Sequence, residues 1–405
     1  MSNTPKIRFA GFTENWEQHK LGDLGSVAMC RRIFKEQTTE VGEIPFYKIG
    51  TFGNHADAYI SRELFEEYKS KYPYPQKGDI LVSASGSIGR TVEYTGKDEY
   101  FQDSNIVWLM HDERLENSFL KYFYQVVKWS GLEGSTIKRL YNSNILRTKI
   151  ILPSSSDSDE QKLIGALMAT LDKLIDHHQH KYEKLISLKS ACLDKMFPQN
   201  DHKVPEVRFA GYTDDWNQRK LGAMGTTFTG LSGKTKEDFG HGEGRFVTYM
   251  NVYLNPVSDI ARTEPVEIDT SQNAVQYGDV FFTTSSETPD EVGMSSVWLG
   301  KSDNVYLNSF CFGFRPTTEI DPLYMAYMLR SETVRKKITY LAQGISRYNI
   351  SKNRVMEIEV PLPDLDEQKL IGQYFNSLDK LIALHQCKLE KFKQVKQSML
   401  HNMFV

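Results

Sequence analysis

Two loops of like composition, GSTIKRLYNSN at 134–144 and QGISRYNISKN at 343–353, each bring together basic, tyrosine and asparagine side chains. A guanidinium there offers a phosphate or guanine contact, the phenol ring a stacking plane, and the amide a reader of adenine. The candidates are Lys138, Arg139, Tyr141 and Asn142 in the first loop, and Arg347, Tyr348, Asn349 and Lys352 in the second. A second pair of loops follows the turns Lys77-Gly78-Asp79 and Tyr277-Gly278-Asp279. One carries Ser83, Ser85, Ser87 and Arg90; the other carries Thr284, Ser285, Ser286 and Glu287. Short hydroxyl side chains let phosphates or base edges come close to the backbone. Lys234, in the turn GLSGKT at 230–235, adds a further cation. The competing reading makes these loops polar surface turns and places Tyr141 and Tyr348 in a domain core.

No catalytic pattern is complete. GLSGKT lacks the leading glycine of a phosphate-binding loop, because position 228 is Phe228. SASGSIG at 83–89 does not have the dinucleotide-binding order. Asn255-Pro256 is followed by Val257, so the N-P-P-aromatic run of an amino-methyltransferase is missing. Pro289-Asp290 lacks the E-x-K that a nuclease centre needs. HHQH at 177–180 has no Cys or carboxylate recurring at ligand spacing, so no metal is expected. Cys30, Cys192, Cys311 and Cys387 show no paired spacing, which predicts free thiols in a reducing compartment.

The elements that must position the loops are announced by an internal repeat. PKIRFAGFTENWEQHKLG at 5–22 returns as PEVRFAGYTDDWNQRKLG at 205–222. DEQKLIG at 159–165 returns at 366–372, LDKLI at 171–175 returns at 378–382, and Met196-Phe197 returns as Met403-Phe404. The segments between lead and tail diverge. Their short β-branched and aromatic runs predict strands at 79–83, 105–110 and 148–152, then at 279–284, 310–314 and 357–362. Aromatic-rich helices are predicted near 117–128 and 323–337, with no alternating βαβ pattern. The tails, 159–197 and 366–404, have apolar residues at 3-4-3 spacing: Ile164, Leu167, Leu171, Leu174, Leu185, Leu188 and Cys192, then Ile371, Tyr374, Leu378, Leu381, Phe392, Val395 and Met399. Each predicts a helix of about 55–60 Å, and pairing one with the other gives an antiparallel coiled coil. His178 and His385 interrupt the seam at matching positions and read as a polar layer that fixes register.

These elements define an α+β fold: two similar mixed domains joined by two long antiparallel helices in a pseudo-two-fold repeat. The expected boundaries are 1–153 for the first lead and domain, 154–202 for the first helix, 203–363 for the second lead and domain, and 364–405 for the second helix. At 405 residues, 40% hydrophobic and 25% charged, the composition is that of a soluble globular protein. No apolar run approaches a membrane span, and the first residues lack a signal-peptide core, so a cytoplasmic chain is expected. The net charge of −3 hides two acid-free basic stretches, 134–152 and 334–356, at matching places in the repeat. Either alone reads as a solvated basic face; their recurrence favours phosphate contact.

The paired R-F-A-G-[FY]-T-x-x-W-x-Q-x-K-L-G leads, the K/Y-G-D-[IV] turns and the LP…DEQKLIG…LDKLI runs, in that order and twice, resemble the specificity subunits of type I restriction–modification systems. The resemblance covers the whole chain. It implies two target recognition domains, each reading one half of a split site on double-stranded DNA. It also implies partners: two methyltransferase subunits and, for cleavage, restriction–translocase subunits. A subunit of this kind has no catalytic residues of its own; S-adenosylmethionine, ATP and Mg²⁺ belong to the partners. A departure is the first linker, LPSSSDSDEQ at 152–161, three residues longer than LPDLDEQ at 362–368. A different-class reading, a coiled-coil scaffold that binds proteins and never touches DNA, fits the long helices alone.

Overall fold

The computed structural model describes residues 4–131, 139–154, 158–199 and 202–404. The chain divides into two compact units, Met1–His178 with Cys387–Val405, and Gln179–Gln386. Each is built around a four-stranded antiparallel sheet. In the first unit the strand order is Gly25–Ala28, Ile106–His111, Ile80–Ser83, Thr91–Glu93. In the second it is Gly225–Thr229, Cys311–Pro316, Val280–Thr283, Ser295–Val297.

Side chains along these strands alternate between two cores. Ile80 and Val82 pack with Trp16, Leu120 and Ile164, while Leu81 packs with Phe46, Phe65 and Trp108. In the second unit Val280 and Phe282 join Trp216 and Phe375, while Phe281 joins Trp298 and Leu307. A strand buried on both faces carries an unbroken apolar run, which is why these strands stand out in the sequence. A three-stranded sheet covers the far core of each unit: Ile44–Tyr47 between Tyr59–Ile60 and Tyr100–Phe101, and Phe239–Val247 between Thr263–Val266 and Val305–Leu307.

The leads are structural. Glu17–Lys20 pairs antiparallel with Lys149–Leu152, and Asn217–Lys220 pairs with Glu359–Leu362. The helix predicted at 117–128 forms at Asn117–Val126. The one predicted at 323–337 forms instead as two helices, Pro322–Met328 and Glu332–Tyr340. The break falls where the buried Ser331 hydroxyl donates to the Met328 carbonyl at 2.7 Å. An α-helix would offer that carbonyl to the residue after Ser331.

The long helices run Ser158–Lys195 and Leu365–Met403. Each unit contains the N-terminal part of one and the C-terminal part of the other, packed antiparallel. In the first unit Asp172 pairs with Lys396 at 2.6 Å, and His178 stacks on Phe392 at 5.5 Å. In the second, Lys189 pairs with Asp379, and Cys192 meets the Tyr374 hydroxyl at 3.4 Å. Ile164, Leu171, Ile371 and Leu378 of the expected seam are buried, and the buried stripe is wider than the seam on the domain side. Met168 and Phe375 are fully buried rather than Leu167 and Tyr374, while Leu188 and Leu381 are exposed. The reason is that each helix packs against its domain as well as its partner, so the buried stripe faces the domain core.

The repeated motifs are explained by one arrangement made twice. Glu160 and Glu367, both fully buried, accept two hydrogen bonds each from the lead arginines: Arg8 at 2.8 and 2.7 Å, Arg208 at 2.7 and 2.8 Å. The Trp16 indole donates a third bond to Glu160 at 3.1 Å. The neighbouring glutamines hold the domains. Gln161 accepts from Glu116 N and donates to Arg114 O; Gln368 accepts from Asp321 N and donates to Pro363 O. Asp172 and Asp379 accept from the Tyr122 and Tyr327 hydroxyls at 2.8 and 2.9 Å. Gly165 and Gly372 let helix and domain touch; a Cβ would sit 2.6 Å from Ser118 Cβ or 2.7 Å from Leu323 Cβ. Met403 and Phe404 complete the first unit's core, as Met196 and Phe197 complete the second's.

Removing one member of a buried, hydrogen-bonded charge pair costs about 3–5 kcal/mol. Glu160→Ala is therefore expected to destabilise the first unit by about 3 kcal/mol in urea unfolding, with the second unit's transition unchanged. A loss under about 1 kcal/mol would contradict the role assigned to the pair.

Candidate nucleic-acid interface

In the first unit the hydroxyl loop is closed on its own first residue. Ser83 is 1% exposed, its hydroxyl donates to Ser87 O, and it accepts from Arg90 N at 2.9 Å. Ser83 therefore shapes the loop and does not face outward, contrary to its expected contact role. Ser85 donates to Asn105 Oδ1 at 2.7 Å, and Arg90 donates to Phe52 O at 2.6 Å. Ser87 and Arg90 remain exposed, and with Ile49, Gly50, Gly86 and the largely buried Ser83 they line a cavity of about 240 Å³.

The two predicted loops meet in each unit through the same backbone bonds. Leu140 N donates to Ala84 O at 2.7 Å, and Ala84 N to Asn105 O at 2.7 Å. In the second unit Ile350 N donates to Thr284 O at 3.0 Å, and Thr284 N to Phe310 O at 3.1 Å. There the contact extends into a small antiparallel pair, Ser285–Ser286 with Tyr348–Asn349. Arg139 reaches Ser104 Oγ at 3.1 Å and lies 5.9 Å over the Tyr141 ring. Tyr141 is 61% exposed, so it is a surface residue and not core. Asn142 is exposed at the start of the helix Asn142–Arg147. Lys138 lies outside the described residues.

Two cavities flank the corresponding loops of the second unit. One, of about 560 Å³, is lined by the Gly230–Lys234 turn, Thr284 and Lys352. The other, of about 690 Å³, is lined by Tyr249, Met250, Ser285, Ser286, Glu287 and Arg347, among others. The helix Tyr249–Leu254 supplies the wall. Tyr249 donates to Ser285 O at 2.8 Å and Tyr253 to Glu291 at 2.7 Å. Bonds from Tyr253, Thr288 and Ser286 hold the Glu291 carboxyl below its usual range, so it stays anionic. Arg330, half-buried behind this helix, donates to the carbonyls of Val252, Tyr253 and Asn255. None of this wall was visible in the sequence, because its tyrosines read as ordinary aromatic content.

The described residues contain no group of three His, Cys, Asp or Glu that could hold a metal ion. Burial pushes the Cys30 and Cys311 thiols up to about 12, which leaves them unreactive near neutral pH. No described helix is long and apolar enough to cross a membrane.

Residues 13–186 and 213–394 each match the family model of the type I restriction modification DNA specificity domain. The chain belongs to that family. A Haemophilus influenzae protein, provisionally named a type I restriction enzyme specificity subunit, is 51% identical over 173 residues. That match covers 40% of this chain and 45% of the relative, so the chain spans under half of that relative's length in it. The Methanocaldococcus jannaschii protein provisionally named the MjaX specificity subunit is 24% identical over 98% of this chain and 95% of its own. The fold matches the crystal structure of a type I S subunit from M. genitalium, with a TM-score of 0.61, 14% identity and 99% of both chains covered.

Within this specificity fold several expected cations are already committed. Lys234 pairs with Asp269 at 3.0 Å and Asp238 at 3.7 Å, which corrects its place as a free DNA contact. In the basic stretch 334–356, Arg335 donates to the carbonyls of Asp290, Val292 and Gly293, and Lys337 to Glu359 O. Arg347, Lys352 and Arg354 stay exposed. Arg139 and Arg347 are also not positional equivalents: Leu140 and Ile350 make the matching bond, one and three residues further on. Ser285 and Ser286 are mostly buried, at 7% and 8% exposure.

On duplex DNA, Arg347→Ala is expected to reduce the slope of log K against log salt by about 0.9, the contribution of one phosphate contact. Lys234→Ala is expected to leave that slope unchanged. Equal effects of the two substitutions would show that the ion pairs of Lys234 open on binding.

Proposed function

We propose that the chain is the non-catalytic DNA-binding subunit of a type I restriction–modification enzyme, and that each unit reads one half of a bipartite site. The observation that carries this reading is the repeated meeting of two loops on an otherwise invariant frame. Ala84 with Leu140 and Thr284 with Ile350 make the same backbone bonds, while the exposed side chains around them differ. A constant frame with different polar loops suits two readers of different base sequences.

In this reading the phosphate contacts come from Arg90, Arg139, Arg347 and Lys352. Tyr141 offers a stacking face, and Ser85, Ser87, Asn142, Thr284, Tyr348 and Asn349 lie beside the bases. Lys138 belongs with the phosphate contacts on the sequence alone. The long helices, of 38 and 39 residues, are about 58 Å long at 1.5 Å per residue. We read them as the spacer between the two half-sites. Two heads on one side of B-DNA favour half-sites about one turn apart, roughly 34–36 Å.

The same helices carry exposed leucines that intrachain packing does not explain: Leu163 and Leu370 at equivalent positions, and Leu381 and Leu384. Such residues suit docking of methyltransferase subunits. S-adenosylmethionine, ATP and Mg²⁺ would be used by those partners and by the restriction–translocase subunits. The chain would then work in the cytoplasm, beside the chromosome.

Sequencing of methylated adenines in cells carrying the full system tests the reading. It is expected to show one asymmetric, bipartite motif. Four residues inserted beside Asp194 lengthen a helix by about 6 Å and are expected to change the spacer but not the half-sites. A continuous motif, or no motif that depends on this chain, would contradict the proposal.

A further inference from the structure

The larger cavity of the second unit holds two charges of opposite sign. Arg347 is exposed on one loop and Glu287 is exposed on the other, and both line the cavity of about 690 Å³. Among the described residues, no hydrogen bond or ion pair engages either side chain's charged group. The other carboxylate of the wall, Glu291, is committed to Tyr253 and Ser286.

An unpaired carboxylate is costly on a surface that faces phosphates, since it repels the charge that supplies most of the affinity. It is useful there only toward a hydrogen-bond donor. In the major groove the donors are the exocyclic amines, and the carboxylate pairing is with the N4 amine of cytosine. The loop is also prepared for such a contact. The pairing of Ser285–Ser286 with Tyr348–Asn349, the Tyr249 bond to Ser285 O and the Arg335 bonds to Asp290 and Val292 O fix the backbone on both flanks of Glu287. A loop backbone held this way loses little freedom when it binds. The equivalent loop of the first unit, Ser83–Arg90, contains no acid.

We propose that Glu287 is a specificity-determining residue that accepts a hydrogen bond from a cytosine amine in the half-site read by the second unit, with Arg347 anchoring the adjacent phosphate. The proposal rests on the reading of this chain as a DNA specificity subunit. It assigns a C·G pair to that half-site.

The test uses the complex assembled with its methyltransferase subunits, wild type and with Glu287→Ala or Glu287→Gln, on duplexes randomised across both half-sites. Glu287→Ala is expected to relax one cytosine position of one half-site by about 5- to 100-fold in preference, the range of one good base contact. Glu287→Gln is expected to move that position toward adenine, which glutamine reads through N6 and N7. The other half-site stays the same in both. Unchanged base preference in both variants overturns the proposal, as does uniform weakening across all sequences. A wild-type complex that selects no bipartite sequence would instead overturn the functional reading itself.

Discussion

The fold depends on a buried carboxylate at the start of each long helix. Glu160 and Glu367 are wholly withdrawn from water, yet each is held by two charge-assisted bonds from a lead arginine. A buried charge is tolerated only with such partners, so the lead cannot leave the helix without stranding an anion. The same helical turn carries the glutamine that ties down the domain and, a turn later, the glycine that lets the domain helix approach. Lead, helix and domain are thus fixed at one point, by side chains that have no substitute of the same geometry. That is a physical reason for DEQKLIG and R-F-A-G to appear twice almost unchanged.

Away from that point the constraint relaxes. The domain sheets need only apolar strands and a backbone bond between the two loops, which any residue with an N–H can supply. The bond is made by Leu140 in one unit and Ile350 in the other, with different neighbours. The loops can therefore change their side chains while keeping their meeting place. The second unit has used this freedom further: a tyrosine-bearing helix, pinned by the half-buried Arg330, walls a cavity almost three times the volume of the one beside Ser87 and Arg90 in the first unit.

The frame was legible in the sequence and the site only partly. Strands such as Ile80–Ser83 and Val280–Thr283 were found because both faces are buried, which leaves a continuous apolar run. The long helices were found from their periodicity, and Ile164, Leu171, Ile371 and Leu378 are buried as expected, but the burial of Met168 and Phe375 was missed: periodicity cannot tell a helix partner from a domain that packs on the same helix. Composition picked out both pairs of loops, but their meeting came from the backbone bonds of the fold. Which side chains stay free was not. Ser83 and Lys234 look like surface contacts in the sequence, yet a backbone carbonyl and two aspartates claim them. Arg139 and Arg347 look equivalent until the backbone bonds show the offset. Such partners come from distant segments, and local patterns carry no trace of them.

The central claim is that the frame is neutral and the segment between lead and helix does the reading. Replacing residues 223–357 by a copy of residues 23–147 tests it most directly, with methylated adenines sequenced in cells carrying the full system. The account predicts a motif built from two copies of the same half-site, with methylation retained. A motif that keeps the original second half-site would contradict it.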